Sequence, residues 1–264
     1  MRSAWGDRFA VRCWVLLAVC FPSLLHAQLT KPESAADAAL RKPTDFRSRV
    51  ELRNEYQDLP GGGYRNLVIP RFEYAVTPRV ALRLETPYIS HDTGPDDVDK
   101  GGGFGDLLVR AAWRAVQRDG FALVLVTEAI FDTAADERLG QGKTVIAPLV
   151  FAAIDLPRFD ATFFPNVQHY ASVGGDSQRA NVSFTTIKPN LLKRWPNRTY
   201  TFVEPQFTID WERDARVGLT LEVEFGKLIG KNVGIWARPG VGLLHNDLPQ
   251  VYNWNFEVGV RYTF

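Results

Sequence analysis

The sequence is poor in several residue types, and each shortage excludes a class of protein. Its 264 residues include one methionine and two cysteines, Cys13 and Cys20. Both cysteines lie in the first 27 residues, which we interpret below as a cleaved segment. The mature chain would then have no disulfide, no thiolate metal site and no cysteine nucleophile. The mature chain also has no apolar run of about 18 residues or more, which excludes helical membrane spans.

The chain has no large excess of charge of either sign. Lysine and arginine total 31 and aspartate and glutamate total 30, a net charge of +1. Removing residues 1–27 takes away three arginines and one aspartate, which leaves a net charge of −1. Nucleic-acid-binding proteins present a basic stripe, so we expect no nucleic-acid partner.

The first 27 residues have the layout of a secretory signal. Arg2, Arg8 and Arg12 precede or flank the start of an uncharged apolar run that extends from Cys13 to Leu25, and Ala27 ends the segment. That run is too short to span a bilayer as a helix. We therefore predict a cleaved signal peptide over residues 1–27, followed by a polar periplasmic leader over 28–44.

From residue 45 onward the sequence divides into segments of about ten to fourteen residues, separated by turn residues. Apolar and polar residues alternate in many of them, and period two predicts strands with one apolar and one polar face. We predict twelve strands, at 46–58, 64–76, 80–91, 104–116, 121–132, 144–155, 159–172, 181–194, 199–211, 216–228, 232–244 and 253–264.

The connections between these strands alternate in length. Short turns at 77–79, 117–120, 156–158, 196–198 and 229–231 alternate with mostly longer, more polar loops at 60–63, 92–103, 133–143, 174–180, 212–215 and 245–252. Outer-membrane barrels place short turns on the periplasmic side and longer loops outside. A soluble β-sandwich, which is the alternative, has no reason to sort its loops in this way.

The last segment alternates most clearly of all. Its apolar positions are Phe256, Val258, Val260, Tyr262 and Phe264. This ending resembles the closing strand of bacterial outer-membrane β-barrels, where it is also the signal for the barrel-assembly machinery. We therefore predict an all-β fold, a closed antiparallel transmembrane β-barrel over 45–264. The twelfth strand should pair with the first, with outer-membrane lipid around the barrel.

The polar faces of the strands carry charges of both signs, which we expect to line the lumen. They are Glu51, Arg53, Glu55, Arg71, Glu73, Arg83, Glu85, Arg110, Arg114, Glu204, Asp210, Glu222, Glu224, Arg238, Glu257 and Arg261. All of these except Glu51, Glu55, Glu204 and Asp210 are our candidates for solute selectivity. Two interpretations stay open: a charged constriction that selects solutes, or cross-strand ion pairs that fill the interior. A twelve-stranded barrel is wider than the eight-stranded kind that side chains fill, which favours the channel.

Seven prolines fall inside the predicted strands: Pro70, Pro87, Pro148, Pro165, Pro189, Pro205 and Pro239. Proline removes a hydrogen-bond donor from the ladder, so we expect bulges or rim positions there.

Enzymatic alternatives have weak support in the sequence. The three histidines beyond residue 27, which are His91, His169 and His245, all lie near predicted outer strand ends, where a lipid hydrolase would need one. Ser90 and His91 are adjacent in a strand and point to opposite faces, so they cannot act as nucleophile and base. We find no nucleophile elbow and no metal-ligand spacing, and predict no enzyme activity, no metal and no cofactor.

One segment carries a family resemblance. Gly103-Phe104-Gly105-Asp106-Leu107, running into Ala112-Trp113-Arg114, follows a strand that ends in Thr86-Pro87-Tyr88. This segment resembles the outer-membrane "transporter" family of the phenol-degradation meta-pathway. The resemblance implies an outer-membrane channel for small molecules, including hydrophobic or aromatic compounds, and supplies no catalytic residues.

We therefore predict a bacterial outer-membrane channel or transporter that works by passive diffusion of a small-molecule solute through a charged lumen. A structural or ligand-binding barrel with a plugged lumen, and a lipid hydrolase at the rim, are the alternatives. The solute, the oligomeric state and the placement of loop 92–103 stay open.

Overall fold

One antiparallel sheet of fourteen strand segments makes up nearly all of the computed structural model, which describes residues 34–264 except 42, 93–99 and 137. The predicted signal peptide and residues 28–33 of the predicted leader lie outside the described residues. One helix, α1 (Ala35–Arg41), precedes the sheet. The strands are β1 (Arg49–Asp58), β2 (Tyr64–Thr77), β3 (Val80–Glu85), β4 (Tyr88–Asp92), β5 (Lys100–Phe104), β6 (Leu107–Arg118), β7 (Phe121–Phe131), β8 (Lys143–Leu156), β9 (Ala161–Gly175), β10 (Ser183–Trp195), β11 (Thr199–Asp210), β12 (Arg216–Ile229), β13 (Val233–Leu244) and β14 (Trp254–Thr263).

These segments form twelve strands around a closed barrel. β4 continues β3 after a break at Thr86-Pro87, and β6 continues β5 after a break at Gly105-Asp106. β2 pairs with β3 along one half of its length and with β4 along the other. The predicted number of strands is therefore confirmed. The two breaks correct the prediction of continuous strands at 80–91 and 104–116.

The barrel closes between its first and last strands. β1 pairs with β2 on one side and with β14 on the other, with Glu51 opposite Arg261 and Asp58 opposite Trp254. A ring of paired strands has no free edge, which removes the aggregation hazard of an open sheet. The predicted pairing of the last strand with the first is confirmed.

The two ends of the barrel differ, as the loop lengths indicate. At one end the turns are short, and two of them are single 3₁₀ turns at Pro157–Phe159 and Pro196–Arg198. Asp160 and Asn197 reach positive φ values of 45° and 61° there, a conformation that Asp and Asn tolerate better than most residues. The described parts of the longer loops lie at the opposite end, which we call the outer end.

The strand prolines lie near mid-strand, beside local gaps in the hydrogen-bond ladder, rather than at the rim. The β10–β11 ladder skips the residues between Ile187 and Leu191, and both Pro189 and Pro205 lie in this gap. A proline has no N–H to donate, so it fits where one neighbouring strand is locally unpaired. The others lie beside similar gaps or at the β3–β4 break: Pro70, Pro87, Pro148, Pro165 and Pro239.

The outer face of the barrel is apolar and the inner face is polar. In β14, Phe256, Val258 and Val260 are exposed on the outside, whereas Glu257 is buried on the inside. Two apolar clusters of buried residues lie inside the barrel towards the short-turn end. Within the described residues, these clusters are the part of the interior that most resembles an ordinary protein core.

Candidate functional site: the barrel lumen

Opposite charges face each other across the strands that flank the closing seam. Glu51 on β1 lies opposite Arg71 on β2 and Arg261 on β14. Arg71 donates to Glu51 at 2.6 Å and to Glu85 on β3 at 2.7 Å, and Arg261 also donates to Glu51. Because inward positions recur every second residue on each strand, a regular register places acid beside base across three neighbouring ladders.

The same network continues from Glu85 along the inner wall in both directions. Arg83 donates to Glu73 at 2.7 Å, and Arg49 donates to the same carboxylate at 3.1 Å. Arg53 reaches Glu85 at 3.2 Å and comes within 3.5 Å of Glu257. The predicted candidates on β1, β2, β3 and β14 thus lie together with Arg49 on one wall of the lumen, which we call the charged wall. Arg49 was not among the predicted residues, although it precedes Glu51 by two residues and so shares its face.

A second group forms where β12, β13 and the last long loop meet. Arg238 donates to Glu224 at 3.0 Å and to Glu222 at 3.4 Å. The hydroxyl of Tyr252, in the loop before β14, donates to Glu222 at 2.5 Å. Burial, and then the charge of Glu222, raises the pKa of Tyr252 above its usual range, so this hydroxyl stays a donor.

Two predicted lumen arginines have separate partners. Arg110 pairs with Glu128 on β7, and Gln168 donates to the other oxygen of that carboxylate at 2.6 Å. Glu128 was not predicted from the sequence, although it lies directly opposite Arg110 in the β6–β7 hairpin. Arg114 instead donates to Asp45 and to the carbonyl oxygen of Thr44 at 3.1 Å, so it anchors the segment that leads into β1.

The helix α1 lies inside the short-turn end of the barrel. Ala36 is buried there in a cluster whose other members are Ala122, Ala153, Phe164, Leu192, Tyr200 and Leu228. The backbone N–H of Ala36 donates to the carbonyl oxygen of Lys231 at 3.2 Å. The later part of the predicted leader is therefore packed against the inner wall and narrows this mouth.

An ion pair anchors α1 to the barrel. Arg198, in the turn before β11, donates to Asp37 at 2.7 Å and to the hydroxyl of Ser34 at 3.0 Å. Burial alone would raise the pKa of Asp37. The hydrogen bonds from Ser34 and Arg198, together with the charge of Arg198, outweigh it and lower that pKa below its usual range. The carboxylate is thus held in its charged form.

A cavity of about 380 Å³ lies in the lumen between α1 and the charged wall. Four arginines border it: Arg49 and Arg261 of the charged wall, together with Arg110 and Arg238. β8, β9 and β11 contribute an apolar surface of Leu149, Phe151, Phe164 and Phe202. Other polar and charged side chains in the lining are Asn166, Gln168, Lys188 and Asn190, which were not predicted from the sequence, and the carboxylates of Glu204 and Glu224. Leu149, Phe151 and Phe164 face Arg49 and Arg261 from the opposite side of the barrel, because β8 and β9 lie about half a turn from β14 and β1 in the strand order. Arg110, Arg238 and Phe202 lie between these two sides.

Two inward-facing glycines accept aromatic rings from the neighbouring strands. The Tyr200 ring lies over Gly226, and the Trp236 ring lies over Gly259, so a Cβ atom at either glycine would overlap the ring. The Trp236 indole then donates to Glu257 at 2.8 Å. These rings occupy lumen space next to the charged wall.

The Gly-rich segment of the family resemblance has a structural role at the outer end. The carboxylate of Asp106 accepts three backbone hydrogen bonds from the loop over residues 132–142, from Thr133 and Ala134 at 3.1 Å and Gln141 at 2.9 Å. Leu139 of that loop is buried and approaches Gly103 and Gly105 so closely that a Cβ atom there would collide with it or its neighbours. The motif therefore holds a long outer loop against the β5–β6 break.

The histidines are dispersed. His169 contacts the Thr185 hydroxyl at 3.0 Å, and His245 contacts the carbonyl oxygen of Tyr252 at 3.1 Å. The ring nitrogens of His91 are buried without a hydrogen-bond partner. Neither of the two contacts joins a nucleophile and an orienting carboxylate to one imidazole. That the chain is not an enzyme stays a prediction.

Over the described ranges, no cluster of three or more His, Cys, Asp or Glu side chains is arranged to hold a metal ion. No helix in the same part of the chain is both long enough and apolar enough to cross a membrane.

Comparison with known proteins points to one class of fold. The sequence matches no family model and no curated protein. Among solved structures, the chain is similar to the COG4313 outer membrane channel from Pseudomonas putida F1, with 12% identity and a TM-score of 0.65, covering 92% of this chain and all of that one. It is also similar to the NanC porin (9% identity, TM-score 0.60, 81% of this chain and 100% of that one) and the KdgM porin (13%, 0.56, 82% and 99%).

These similarities establish the fold as that of the outer-membrane β-barrels. The identities are too low to carry a function or a substrate from those proteins to this chain. The resemblance to the phenol meta-pathway family likewise stays a prediction, since no family model matches.

Proposed function

We propose that the chain forms a channel in the bacterial outer membrane through which small molecules diffuse passively. The observation that carries this proposal is the cavity of about 380 Å³ inside a closed barrel whose outer face is apolar. A barrel that served only as a membrane anchor would gain stability by filling such a space with side chains. The sequence carries no nucleotide-binding motif, so the proposed transport is not directly coupled to an energy source.

The finer proposal concerns the solute. The cavity combines the apolar surface of Leu149, Phe151, Phe164 and Phe202 with polar and charged groups. An apolar wall of this kind suits compounds with a hydrophobic or aromatic part, which is also what the family resemblance implies. Cavity walls that bind small ligands are commonly mostly apolar, with a few polar groups that set orientation.

Two proposed partners follow from the apolar faces of the strands. The apolar outer face would contact outer-membrane lipid, where a charged side chain costs about 2–4 kcal/mol at mid-depth. Phe256, Val258, Val260, Tyr262 and Phe264 would be the segment that the barrel-assembly machinery recognises. A C-terminal Phe264→Asp variant should then accumulate unassembled, whereas Thr263→Ser should assemble normally, as measured by heat-dependent mobility on gels.

Planar-bilayer recording tests the channel proposal directly. Purified protein should give discrete conductance steps, and deletion of residues 34–41 should enlarge them because α1 occupies the short-turn mouth. A barrel that is properly folded by circular dichroism, yet silent with and without α1, would contradict the proposal.

A second candidate is a ligand-binding or structural barrel with a plugged lumen. The specific observation in its favour is α1, which is packed into the mouth and tied down by Arg198. Under this alternative the full chain would give no conductance steps, and only the deletion variant would conduct. Its melting temperature would fall because the cluster around Ala36 is lost.

A further inference from the structure

We infer that the lumen presents a cationic surface and selects small anions with an apolar part, although its formal charges are balanced. This inference rests on the proposed channel function and names the solute class for the same lumen. The inference depends on how deeply each charged group is buried in the lumen wall, and neither the net charge nor the number of ion pairs gives that depth.

The carboxylates lie behind the cations that pair with them. The side chain of Arg110 is 26% exposed and that of its partner Glu128 is 3% exposed. Arg261 is 27% exposed against 1% for Glu51, and Arg238 is 17% exposed against 5% for Glu224. The same order holds in the other ion pairs that join inner-face strand residues in the described part of the chain.

Side-chain length explains this layering. Arginine and glutamate start from the same wall at facing positions, and the guanidinium group lies two bonds farther from its backbone than the carboxylate does. The shorter carboxylate is therefore held near the wall by two or three donors. Glu51, for example, has Arg71 and Arg261 on either side. A solute in the lumen meets the guanidinium groups first.

Among the described carboxylates that pair with cations on the inner face, Glu204 and Glu222 fit this arrangement least well. Glu204 and Glu222 lie opposite each other on β11 and β12, and their exposures are close to those of their cationic partners. Each has extra neutral donors, however: Asn190 for Glu204, and both Tyr252 and Asn255 for Glu222. These donors occupy lone pairs that a passing cation would otherwise contact.

The apolar wall restricts the anion further. An anionic group in the cavity beside Arg110 or Arg261 would share that space with Phe164 and Phe202, because both sets of side chains border it. Guanidinium groups bind carboxylates well, and a short apolar chain gains free energy by leaving water. The solute class is therefore a small organic carboxylate with an apolar body.

Ion selectivity in planar bilayers tests the inference. From the reversal potential in a potassium chloride gradient, we expect a chloride-to-potassium permeability ratio of roughly 2 or more, since a narrow lumen concentrates the field of its surface charges. Arg110→Gln combined with Arg261→Gln should bring the ratio to about one. Arg158→Gln, an exposed arginine in a short turn, is the matched control and should leave it unchanged.

A second variant keeps the test decisive if the double variant fails to assemble. Glu128→Gln removes the carboxylate behind Arg110 and should raise the ratio above the wild-type value.

In bi-ionic measurements, butyrate should permeate faster than butylammonium, which has a similar size and the opposite charge. A conducting wild-type channel with a ratio of one or less, or a ratio that none of the lumen variants moves, would overturn the inference alone. Absence of any conductance would overturn the channel proposal as well.

Discussion

The substitution Glu51→Gln tests whether the charged wall holds the barrel closed. Glu51 is buried at the seam and joins the second strand to the last one through Arg71 and Arg261. The amide keeps the shape of the side chain but removes the charge that both arginines face. The variant therefore separates electrostatics from packing.

The expected cost follows from what each arginine keeps. Arg71 retains Glu85 at 2.7 Å, whereas Arg261 retains the Trp236 ring at 4.9 Å and a side chain that is 27% exposed. Removing one partner of a fully buried pair costs about 3–5 kcal/mol, and partial access to water lowers this, so we expect about 2–4 kcal/mol. Glu212→Gln, in an exposed turn, is the matched control and should change the free energy of unfolding by less than about 0.5 kcal/mol.

Reversible urea unfolding in lipid vesicles, followed by tryptophan fluorescence, measures both variants. A double-mutant cycle with Arg261→Gln should show that the two substitutions are not additive, with a coupling of about 1–3 kcal/mol. If Glu51→Gln proves no more destabilising than Glu212→Gln, the charged wall does not hold the seam.

Three further predictions concern α1, the outer loop and a close contact of the interior. The lowered pKa of Asp37 means that its anchor is fully present above the ordinary value of about 3.8 and is lost as the pH falls through the folded-state value. Channel conductance should therefore rise at pH below about 3.8, and Asp37→Asn should already show the higher conductance at neutral pH; equal conductance in both proteins would contradict the anchor. Asp106→Ala should speed trypsin cleavage within residues 132–142 several-fold, because three backbone hydrogen bonds are lost; an unchanged cleavage rate would refute this role. Gly226→Ala should lower the free energy of unfolding in urea by about 1–3 kcal/mol, because the new Cβ atom would overlap the Tyr200 ring. Gly174→Ala, which faces open space, should have little effect. Equal effects of the two substitutions would show that the ring moves aside freely.

Local alternation in the sequence was sufficient to predict much of the barrel. Period two separates Phe256 and Val258 on one face from Glu257 on the other without any knowledge of the fold, because successive side chains in a strand point to opposite faces. The alternation of short turns and longer loops then predicts which end of each strand lies on the periplasmic side. Together they predict twelve strands and a closed ring, since an even number of antiparallel strands brings both ends to the same side.

The sequence could not predict features that depend on contacts between distant residues. The anchor of α1 joins Asp37 to Arg198, which lie 161 residues apart. The leader has too little apolar periodicity to show that it packs inside the barrel. The break at Gly105-Asp106 was also missed, because the role of Asp106 depends on backbone donors from a loop almost thirty residues later.

The strand prolines illustrate a third limit. A proline in a closed barrel conflicts with full pairing on both sides, and the sequence does not show which ladder gives way. The structure resolves the conflict by leaving gaps at Pro189 and Pro205 in the same ladder, so that two prolines share one interruption. This sharing of one gap depends on the register of the two strands, and the sequence of either strand alone does not show it.

Cysteine block of the current tests most directly the claim that solutes pass through the lumen. Both native cysteines lie in residues 1–27, so in a protein expressed from residue 28 onward an introduced cysteine would be the only thiol. Lys188 borders the cavity, whereas the adjacent Ile187 is exposed on the outer face. A bulky water-soluble thiol reagent should sharply reduce the conductance of Lys188→Cys and leave that of Ile187→Cys unchanged. If modification of Lys188→Cys goes to completion and the conductance stays the same, solutes do not pass through this lumen.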